Sequence, residues 1–378
     1  MKLGEVVSIS PSKHRKVCES NWLLNLDMVE QQTGRILSYN YVGAEELNGS
    51  IIEFDTGNVL YSKLRPNLNK VVIPELSGFA TSEMLPLRPN NGILDRNYLA
   101  IYLRSDEFVT WAVSKTAGAK MPRLGTKELL GKEIPLPSIE AQKKIAELFI
   151  RMQNLIEERK QQLEKLDELV KARFVEMFGD VKTNSQSWTE CRIDQACSMV
   201  VDCVNKTAPT VDYETPYKMI RTSNVKKGRV DTDAVKYVEK DIFEKWTRRV
   251  VPQKGDIILT REAPMGEVGI VDTDEMVFLG QRLVLYRVDP RLMNAKYLMY
   301  LLMSDYFQEQ VISKGKGSTV KHLPVPDCTE FRVLVPDIEL QQRFAVFVEQ
   351  TDKSKAEIKK SLEALEMLKK ALMQKYFG

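Results

Sequence analysis

Residues 136–145, LPSIEAQKKI, open a long charged stretch that ends in Phe178 and Gly179. Residues 335–344, VPDIELQQRF, open a second charged stretch that ends in Phe377 and Gly378. The two stretches align without a gap at an offset of 199 residues (137 to 336), with these matched pairs: Pro137/Pro336, Ile139/Ile338, Glu140/Glu339, Gln142/Gln341, Leu163/Leu362, Leu166/Leu365, Leu169/Leu368 and Phe178/Phe377. The chain therefore contains an internal repeat.

The repeat extends upstream of these stretches at the same offset. The further matches are Phe79/Phe278, Arg88/Arg287, Tyr98/Tyr297, Ser105/Ser304 and Ser114/Ser313. Two related halves are predicted, each a variable module followed by a similar helix. The predicted segments are residues 1–135, 136–180, 181–334 and 335–378.

Each charged stretch has apolar residues at steps of three and four, which predicts one long amphipathic helix. A helix of about 40 residues is ~60 Å long, and its apolar stripe needs a partner. We expect the two helices to pair as an antiparallel coiled coil with pseudo-twofold symmetry. The residues predicted to pair them are Leu148, Leu155, Leu163, Leu166 and Leu169 on the first helix and Phe347, Ile358, Leu362, Leu365 and Leu368 on the second.

The two modules show a mixed pattern. Short β-rich runs such as residues 58–61, 70–73, 256–260 and 268–271 alternate with Gly, Pro and Asn. A helix is expected at residues 95–108 and another at residues 294–310. The fold class is therefore predicted as α+β, with two mixed α/β domains and two long helices.

Composition excludes several classes of protein. The chain of 378 residues has a formal net charge of +3, which is too small to diagnose a nucleic-acid partner by itself. It has no apolar run of ~18 residues and no secretion leader, so we expect a cytoplasmic protein. The five cysteines (Cys18, Cys191, Cys197, Cys203, Cys328) form no CxxC pair, so we predict reduced thiols and no metal site.

Motifs for catalysis are missing. The sequence has no GxGxxG after a strand, no GxxxxGK[ST] and no Asn/Asp-Pro-Pro-aromatic loop of the kind that adenine methyltransferases use. The two histidines, His14 and His322, have no neighbouring nucleophile. We predict that the chain catalyses nothing alone and binds no cofactor.

Paired basic loops give the stronger signal. Residues 61–70, YSKLRPNLNK, have the counterpart LTREAPMGEV at residues 259–268, and SKTAGAKMPR at residues 114–123 has the counterpart SKGKGSTVKH at residues 313–322. Gly-containing loops with cations, hydroxyls and amides suit phosphate oxygens and base edges. The alternative is that these loops are ordinary solvent-exposed surface that binds no DNA.

The residues predicted to contact DNA fall into one group for each module. In the first module they are Lys63, Arg65, Asn67, Asn69, Lys115, Lys120 and Arg123. In the second module they are Arg221, Asn224, Lys226, Arg261, Gln281, Arg282, Lys314, Lys316 and Lys321.

The whole chain resembles the specificity subunit of type I restriction-modification systems. The resemblance rests on the duplicated Pro-x-Ile-Glu-x-Gln openings, on the Phe-Gly endings, and on KLRPNLNK, GFATSEM and ILTREAPMGEVGIV within the modules. It implies that each module reads one half of a split, asymmetric DNA target while the helices hold the halves at a fixed separation.

The resemblance also implies partners and cofactors. Two modification subunits would methylate adenine with S-adenosylmethionine, and restriction subunits, which are motor-nucleases using ATP and Mg²⁺, would join for cleavage. Two alternatives stay open: a coiled-coil adaptor with two protein-binding domains, and a fused methyltransferase or nuclease. The second helix departs from the first where Thr351, Ser354 and Lys355 replace Met152, Leu155 and Ile156.

Overall fold

The structure is a computed structural model that describes residues 1–9, 19–47, 51–118, 120–317 and 321–378. It divides into two compact units. The first unit is residues 1–161 with 359–378, and the second is residues 162–358. The second part of the first unit comes from the end of the chain, so the two units are not simply consecutive in sequence.

The described residues of the first unit form ten short strands: β1 (Val7–Ile9), β2 (Asn21–Leu24), β3 (Asn40–Val42), β4 (Ile51–Phe54), β5 (Val59–Ser62), β6 (Val71–Val72), β7 (Gly78–Thr81), β8 (Met84–Pro89), β9 (Thr116–Ala117) and β10 (Arg123–Leu124). Its short helices are α1 (Leu3–Val6), α2 (Arg96–Leu103), α3 (Asp106–Ser114) and α4 (Thr126–Gly131). An antiparallel sheet has the order β1-β8-β5-β6, and a mixed sheet has the order β3-β2-β7-β4, with β2 and β7 parallel. Strands β9 and β10 form a separate antiparallel ribbon.

The first long helix, α5 (Ile139–Phe178), follows. Where the second unit is described, it contributes eleven strands: β11 (Thr189–Arg192), β12 (Cys197–Asp202), β13 (Tyr217–Ile220), β14 (Val225–Lys226), β15 (Gly228–Val230), β16 (Lys236–Tyr237), β17 (Ile257–Arg261), β18 (Met265–Ile270), β19 (Met276–Leu279), β20 (Leu283–Val288) and β21 (Arg332–Val335). Its helices are α6 (Ile193–Ala196), α7 (Lys240–Trp246), α8 (Ala295–Leu302), α9 (Asp305–Lys314) and α10 (Val325–Thr329), and the chain ends in the second long helix, α11 (Ile338–Phe377). The sheets have the orders β12-β20-β17-β18-β15-β14, β16-β13-β19 and β11-β21.

The sequence repeat corresponds to a structural repeat. Helices α5 and α11 have 40 residues each, and their first and last residues differ by the same offset of 199. Strand β8 and helix α2 recur at that offset as β20 and α8. The predicted α+β class with two mixed modules and two long helices is confirmed. No helix of the described residues has the length and apolar character to cross a membrane.

The predicted single helices at residues 95–108 and 294–310 are wrong, because each is a pair of short helices. Ser105 separates α2 from α3: its hydroxyl donates to the Tyr102 carbonyl at 2.7 Å and accepts from the Phe108 N–H at 3.3 Å. Ser304 stands between α8 and α9, where its hydroxyl donates to the Leu301 carbonyl at 2.6 Å but accepts from no N–H of α9. Ser105 caps α3 because its side chain replaces a missing backbone partner.

One glutamine near the start of each long helix joins that helix to the module before it. Gln142 is fully buried; its amide nitrogen donates to the Ile93 and Pro137 carbonyls, both at 2.9 Å, and its amide oxygen accepts from the Asp95 N–H at 2.9 Å. Gln341 makes the same three bonds, to the carbonyls of Leu292 and Pro336 at 3.0 and 2.7 Å and from the Asn294 N–H at 2.8 Å. Each glutamine thereby fixes the start of its helix.

The long helices run antiparallel within each unit. In the first unit, Phe149 lies 6.1 Å from Phe377 between ring centroids, and Lys369 Nζ donates to Gln153 Oε1 at 2.7 Å. In the second unit, the rings of Phe174 and Phe344 are 5.4 Å apart. Residue numbers rise on one helix as they fall on the other, which is the predicted direction of pairing.

The buried face of the helices differs from the predicted pairing residues at several positions. Leu148, Leu155, Leu169 and Leu368 are exposed, and Leu163, Leu166, Phe347, Ile358, Leu362 and Leu365 are partly buried. The fully packed positions are Phe149, Met152, Ile156, Val170, Phe174, Phe178, Phe344, Val348 and Phe377. Packing against the module cores, rather than against the other helix alone, selects this face.

Two of the three polar residues that distinguish the second helix from the first, Thr351 and Lys355, are buried, whereas Ser354 is exposed. Thr351 is 6% exposed, and its hydroxyl donates to the Phe347 carbonyl at 2.9 Å. Lys355 is 5% exposed, and its Nζ donates to Asp167 Oδ1 at 2.5 Å. The second unit therefore buries a lysine where the first unit buries Ile156.

Candidate nucleic-acid interface

In the first unit, the two predicted basic loops lie side by side. Residues 63–70 form a Pro-bearing turn, and β9 and β10 belong to the second loop. The Arg65 N–H donates to the Pro122 carbonyl at 2.8 Å, and the Leu124 N–H donates to the Lys63 carbonyl at 2.9 Å. Loops that are separate in sequence thus form one continuous basic surface.

The side chains of this surface differ in availability. Arg65, Asn67, Lys115, Lys120 and Arg123 are exposed, and Lys63 is partly buried. Arg65 has a backbone φ of +50°, a region that non-glycine residues enter at a cost, so the turn holds it in a defined conformation. Arg123 is already paired with Glu83, with Nε–Oε1 at 3.1 Å. A phosphate at Arg123 would compete with that carboxylate.

Asn69 has a structural role instead of an exposed one. It is 5% exposed, and its amide nitrogen donates to Gln32 Oε1 at 3.2 Å and to the Arg104 carbonyl at 3.0 Å. Its φ of +49° ends the turn. The residue type that suits base reading also suits this left-handed position, and burial removes Asn69 from the surface.

The second unit repeats the arrangement of the two loops. The Leu323 N–H donates to the Arg261 carbonyl at 2.9 Å, and Glu262 forms an isolated β-bridge with His322. Lys316 and His322 exchange two backbone hydrogen bonds of 2.9 and 2.8 Å. The Pro-bearing turn and the basic loop therefore adjoin here as they do in the first unit.

Two predicted contact residues of this unit are buried. Arg261 is 7% exposed, and its Nε donates to the Leu323 carbonyl at 2.9 Å. Asn224 is 3% exposed; its side-chain oxygen accepts from the Arg221 N–H and its nitrogen donates to the Ala234 carbonyl, both at 2.9 Å. Both side chains stabilise the loops that present their neighbours.

Three other predicted residues meet at one cavity. Arg221, Gln281 and Arg282 line a space of about 330 Å³ together with Lys236 and Glu262. Arg282 Nε donates to Glu262 Oε2 at 2.8 Å, and Arg221 Nε lies buried without an acceptor among the described residues. An arginine side chain offers two donors to a guanine edge, and a glutamine side chain offers one donor and one acceptor to an adenine edge, so this cavity has suitable chemistry for a base. Lys236 was missed, because an isolated lysine in a strand gives no sequence signal.

The remaining lysines of the second loop are partly neutralised. Lys314 lies 3.6 Å from both Asp327 and Glu330, and Lys316 lies 3.6 Å from Asp327. Lys321 and Lys226 are exposed. The neighbouring acids were missed because they follow 11 or more residues later, on and after α10.

The described part of the chain shows no cluster of metal ligands, and its cysteines are free thiols. There, no group of three or more His, Cys, Asp or Glu side chains is placed to hold a metal ion. Cys191, Cys197, Cys203 and Cys328 are free, and burial raises the pKa of Cys197 and that of Cys328 to about 12. His14 and Cys18 lie outside the described residues.

Comparison with known proteins identifies the family. The family model for the type I restriction modification DNA specificity domain matches residues 2–166 and 202–367. Those two matches cover most of both halves of the repeat. The chain belongs to the specificity subunits of type I restriction-modification systems.

Individual relatives agree with this assignment. The chain is 26% identical over 311 residues to the type I restriction enzyme MjaVIII specificity subunit of Methanocaldococcus jannaschii, a match that covers 78% of this chain and 72% of that protein. It is 22% identical over 292 residues to the EcoBI specificity subunit of Escherichia coli, with 70% and 61% covered.

Solved structures share the fold. The S subunit of a type I restriction-modification system from M. genitalium superposes with a TM-score of 0.63 at 13% identity, covering 100% of this chain and 95% of that one. A chain from a study of complex assembly and conformational transition of the type I R-M system gives a TM-score of 0.60 at 18% identity, covering 100% and 96%.

Proposed function

We propose that this specificity subunit reads a two-part, asymmetric DNA target, with one basic loop pair for each part. One observation carries the proposal: both units join a Pro-bearing turn to a basic loop through backbone hydrogen bonds at equivalent positions of the repeat. Duplicated surfaces on divergent modules suit two different short sequences.

Exposed cations and the cavity have different roles in this proposal. Lys63 and Arg65 in the first unit, and Lys316 and Lys321 in the second, contact phosphates and release condensed counterions. Arg221, Gln281 and Arg282 read base edges from the cavity that they line. Phosphate contacts set the position of the protein on DNA, and base contacts set the sequence.

Catalysis resides in partner subunits in this proposal. Two modification subunits supply adenine methylation with S-adenosylmethionine, and motor-nuclease restriction subunits use ATP and Mg²⁺. The chain itself binds none of these cofactors, and it acts in the cytoplasm, where the target DNA lies. Incubation of the chain alone with radiolabelled S-adenosylmethionine and target DNA tests this point, since methyl transfer without another subunit contradicts it.

Salt dependence tests the DNA contacts directly. We expect the affinity for a random duplex, measured by fluorescence anisotropy, to fall as the salt concentration rises. In a plot of the logarithm of the association constant against the logarithm of the salt concentration, each phosphate contact contributes a slope of about −0.9. Replacing Lys63 and Arg65 with alanine reduces the magnitude of that slope by about two units at most. It also weakens binding to DNA of every sequence by the same factor. The matched control is Lys165→Ala, an exposed lysine of α5 that is part of neither loop.

Two results would contradict the proposal. If the chain binds no duplex, or if its affinity for a duplex does not depend on salt, the alternative of a coiled-coil protein adaptor is favoured.

A module exchange tests whether the two modules read DNA independently. Replacement of residues 1–135 by another module of this kind should change one part of the methylated sequence when the modification subunits are present. A change in both parts shows that the modules do not read independently.

A further inference from the structure

The first unit contains a cavity of about 500 Å³ beside the end of the Pro-bearing turn. It lies where α2 and the turn end at Asn69 meet the paired segments of α5 and α11. Phe149, Ile150 and Ile156 supply apolar walls. This volume is in the range of pockets for small molecules.

The charges that face the cavity are unbalanced. Four cations and two carboxylates line it: Arg104, Lys160, Lys369, Lys370, Asp106 and Glu366. Of these, Lys160 and Glu366 approach to 3.9 Å, whereas Arg104 and Lys369 form no ion pair with any described residue. Arg104 donates one N–H to the Val71 carbonyl at 2.6 Å, and its Nε is buried without an acceptor among the described residues.

Arg104 and Lys369 are half-buried without a carboxylate partner among the described residues, and the pKa of each is lowered. Burial lowers the pKa of Arg104 to about 10. Burial, followed by the positive charges of Arg104 and Lys160, lowers the pKa of Lys369. Buried charges in proteins are normally paired, so this cluster has room and electrostatic demand for an anion.

The repeat supplies an internal comparison. At the offset of 199, Arg104 corresponds to Met303 and Lys369 to Val170, which is fully buried. Ile101 corresponds to Tyr300, whose ring stacks on Phe174 at 6.3 Å between centroids. The second unit therefore has apolar side chains at the positions of Arg104 and Lys369. At the position of Ile156 it has a cation, Lys355, which is paired with Asp167. Arg104 and Lys369, which have no carboxylate partner among the described residues, are particular to the first unit.

We propose that this cavity binds a small molecule with a phosphate or carboxylate group on a compact apolar body. The oxyanion lies between Arg104 and Lys369, where charge-assisted hydrogen bonds replace the missing carboxylates. The apolar body packs on Phe149 and Ile156. Asn69, whose Oδ1 is buried without a donor among the described residues, provides an acceptor for a protonated oxygen of the ligand.

Calorimetric titration of the full chain with inorganic phosphate, phenyl phosphate and phenol tests the assignment. Phenyl phosphate should bind at one site per chain and at least tenfold more tightly than phosphate, and phenol should give no measurable binding. The R104M/K369V double variant installs the residues of the second unit and should weaken phenyl phosphate at least thirtyfold. The matched control is Arg151→Met, an exposed cation of α5 outside the cavity.

Stability separates loss of binding from loss of folding. The melting temperature of the R104M/K369V variant should equal or exceed that of the original chain, because two half-buried cations that have no ion-pair partner have been removed. If this variant does not fold, Lys369→Gln keeps a side-chain donor toward Gln153 and should still weaken phenyl phosphate at least fivefold.

Three outcomes overturn the proposal. Equal affinity of phenyl phosphate for the original chain and for the folded cation variants excludes a site at Arg104 and Lys369. Affinity no greater than that of inorganic phosphate excludes the apolar subsite. Displacement of phenyl phosphate by a 30-base-pair duplex at one-to-one stoichiometry assigns the cations to DNA phosphates instead.

Discussion

Replacement of Gln142 by alanine should destabilise the first unit more than any exposed change on the same helix. The side chain is fully buried, and its removal leaves the Asp95 N–H and the Ile93 and Pro137 carbonyls without their partner. An unsatisfied buried backbone group costs about 1–3 kcal/mol. Water entering the vacated space recovers part of this, so we expect a loss of roughly 2–4 kcal/mol.

The chemistry of the amide gives a sharper test than alanine. In Gln142→Glu, a carboxylate oxygen still accepts from the Asp95 N–H, but no N–H remains for the two carbonyls. The variant should lose at least as much stability as the alanine variant at neutral pH, because a buried charge now faces two carbonyl oxygens. Protonation restores one donor, so acidification toward pH 5 should reduce the difference from the original chain.

Equilibrium urea unfolding followed by tryptophan fluorescence and circular dichroism measures these losses. Gln161→Ala, an exposed glutamine on α5, is the control and should change the free energy of unfolding by less than about 0.5 kcal/mol. Gln341→Ala should cost as much as Gln142→Ala, and the two losses should add, since the residues lie in separate units. A loss below about 0.5 kcal/mol for Gln142→Ala refutes the reasoning.

Three further predictions concern buried groups. Lys355→Ile should leave stability unchanged or raise it by up to about 3 kcal/mol, because the lysine is buried while its partner Asp167 is 66% exposed and can rehydrate; thermal melting measures this. Asp256→Ala should cost about 3–5 kcal/mol in urea unfolding, because the carboxylate is 2% exposed and receives two bonds from Arg287, at 2.8 and 2.7 Å. Cys328 should resist iodoacetamide at pH 8 until the chain unfolds, because burial keeps the thiol protonated; peptide mass spectrometry follows its labelling.

Each of these has a control and a contrary result. Ser354→Ala, one residue before Lys355 and exposed, should change little, and a drop of more than 1 kcal/mol for Lys355→Ile alone would show that the ion pair stabilises the fold. Asp55→Ala should cost less than Asp256→Ala, since its carboxylate is 31% exposed; equal losses would contradict the burial argument. Labelling of Cys328 at the rate of a free thiol would show that its surroundings open in the native state.

The repeat made most of the fold predictable from the sequence. The gap-free match from Pro137 to Phe178 fixed two equal helices, and the antiparallel direction followed from the need to bury two stripes. The break at Ser105 was not predicted, because the apolar spacing continues through it and a serine inside a helix is not unusual. The packed helix face was only partly predicted, since periodicity identifies a stripe but not which side of it meets a module.

The candidate interface was predictable as segments but not as individual side chains. Loops with repeated basic residues were recognisable, and the structure places each pair together. Sequence cannot distinguish Asn67, which is exposed, from Asn69, which is buried two residues later, because the difference arises from the left-handed backbone at the end of the turn. Arg104 gave no signal, since it lies at the end of an ordinary helix and its charge matters only through distant neighbours.

The first unit is built from two separate segments of the chain, and this affects the order in which its parts are synthesised. Residues 359–378 complete it, with Phe377 packed against Tyr98 and Tyr102, so its last structural piece is made roughly 200 residues after Gln161. At ~5–20 residues per second, the emerging first unit waits about 10–40 s for that piece, with part of its core uncovered. The second unit needs no such late segment. A premature stop before Lys359 therefore damages a unit whose other residues were made before the second unit began.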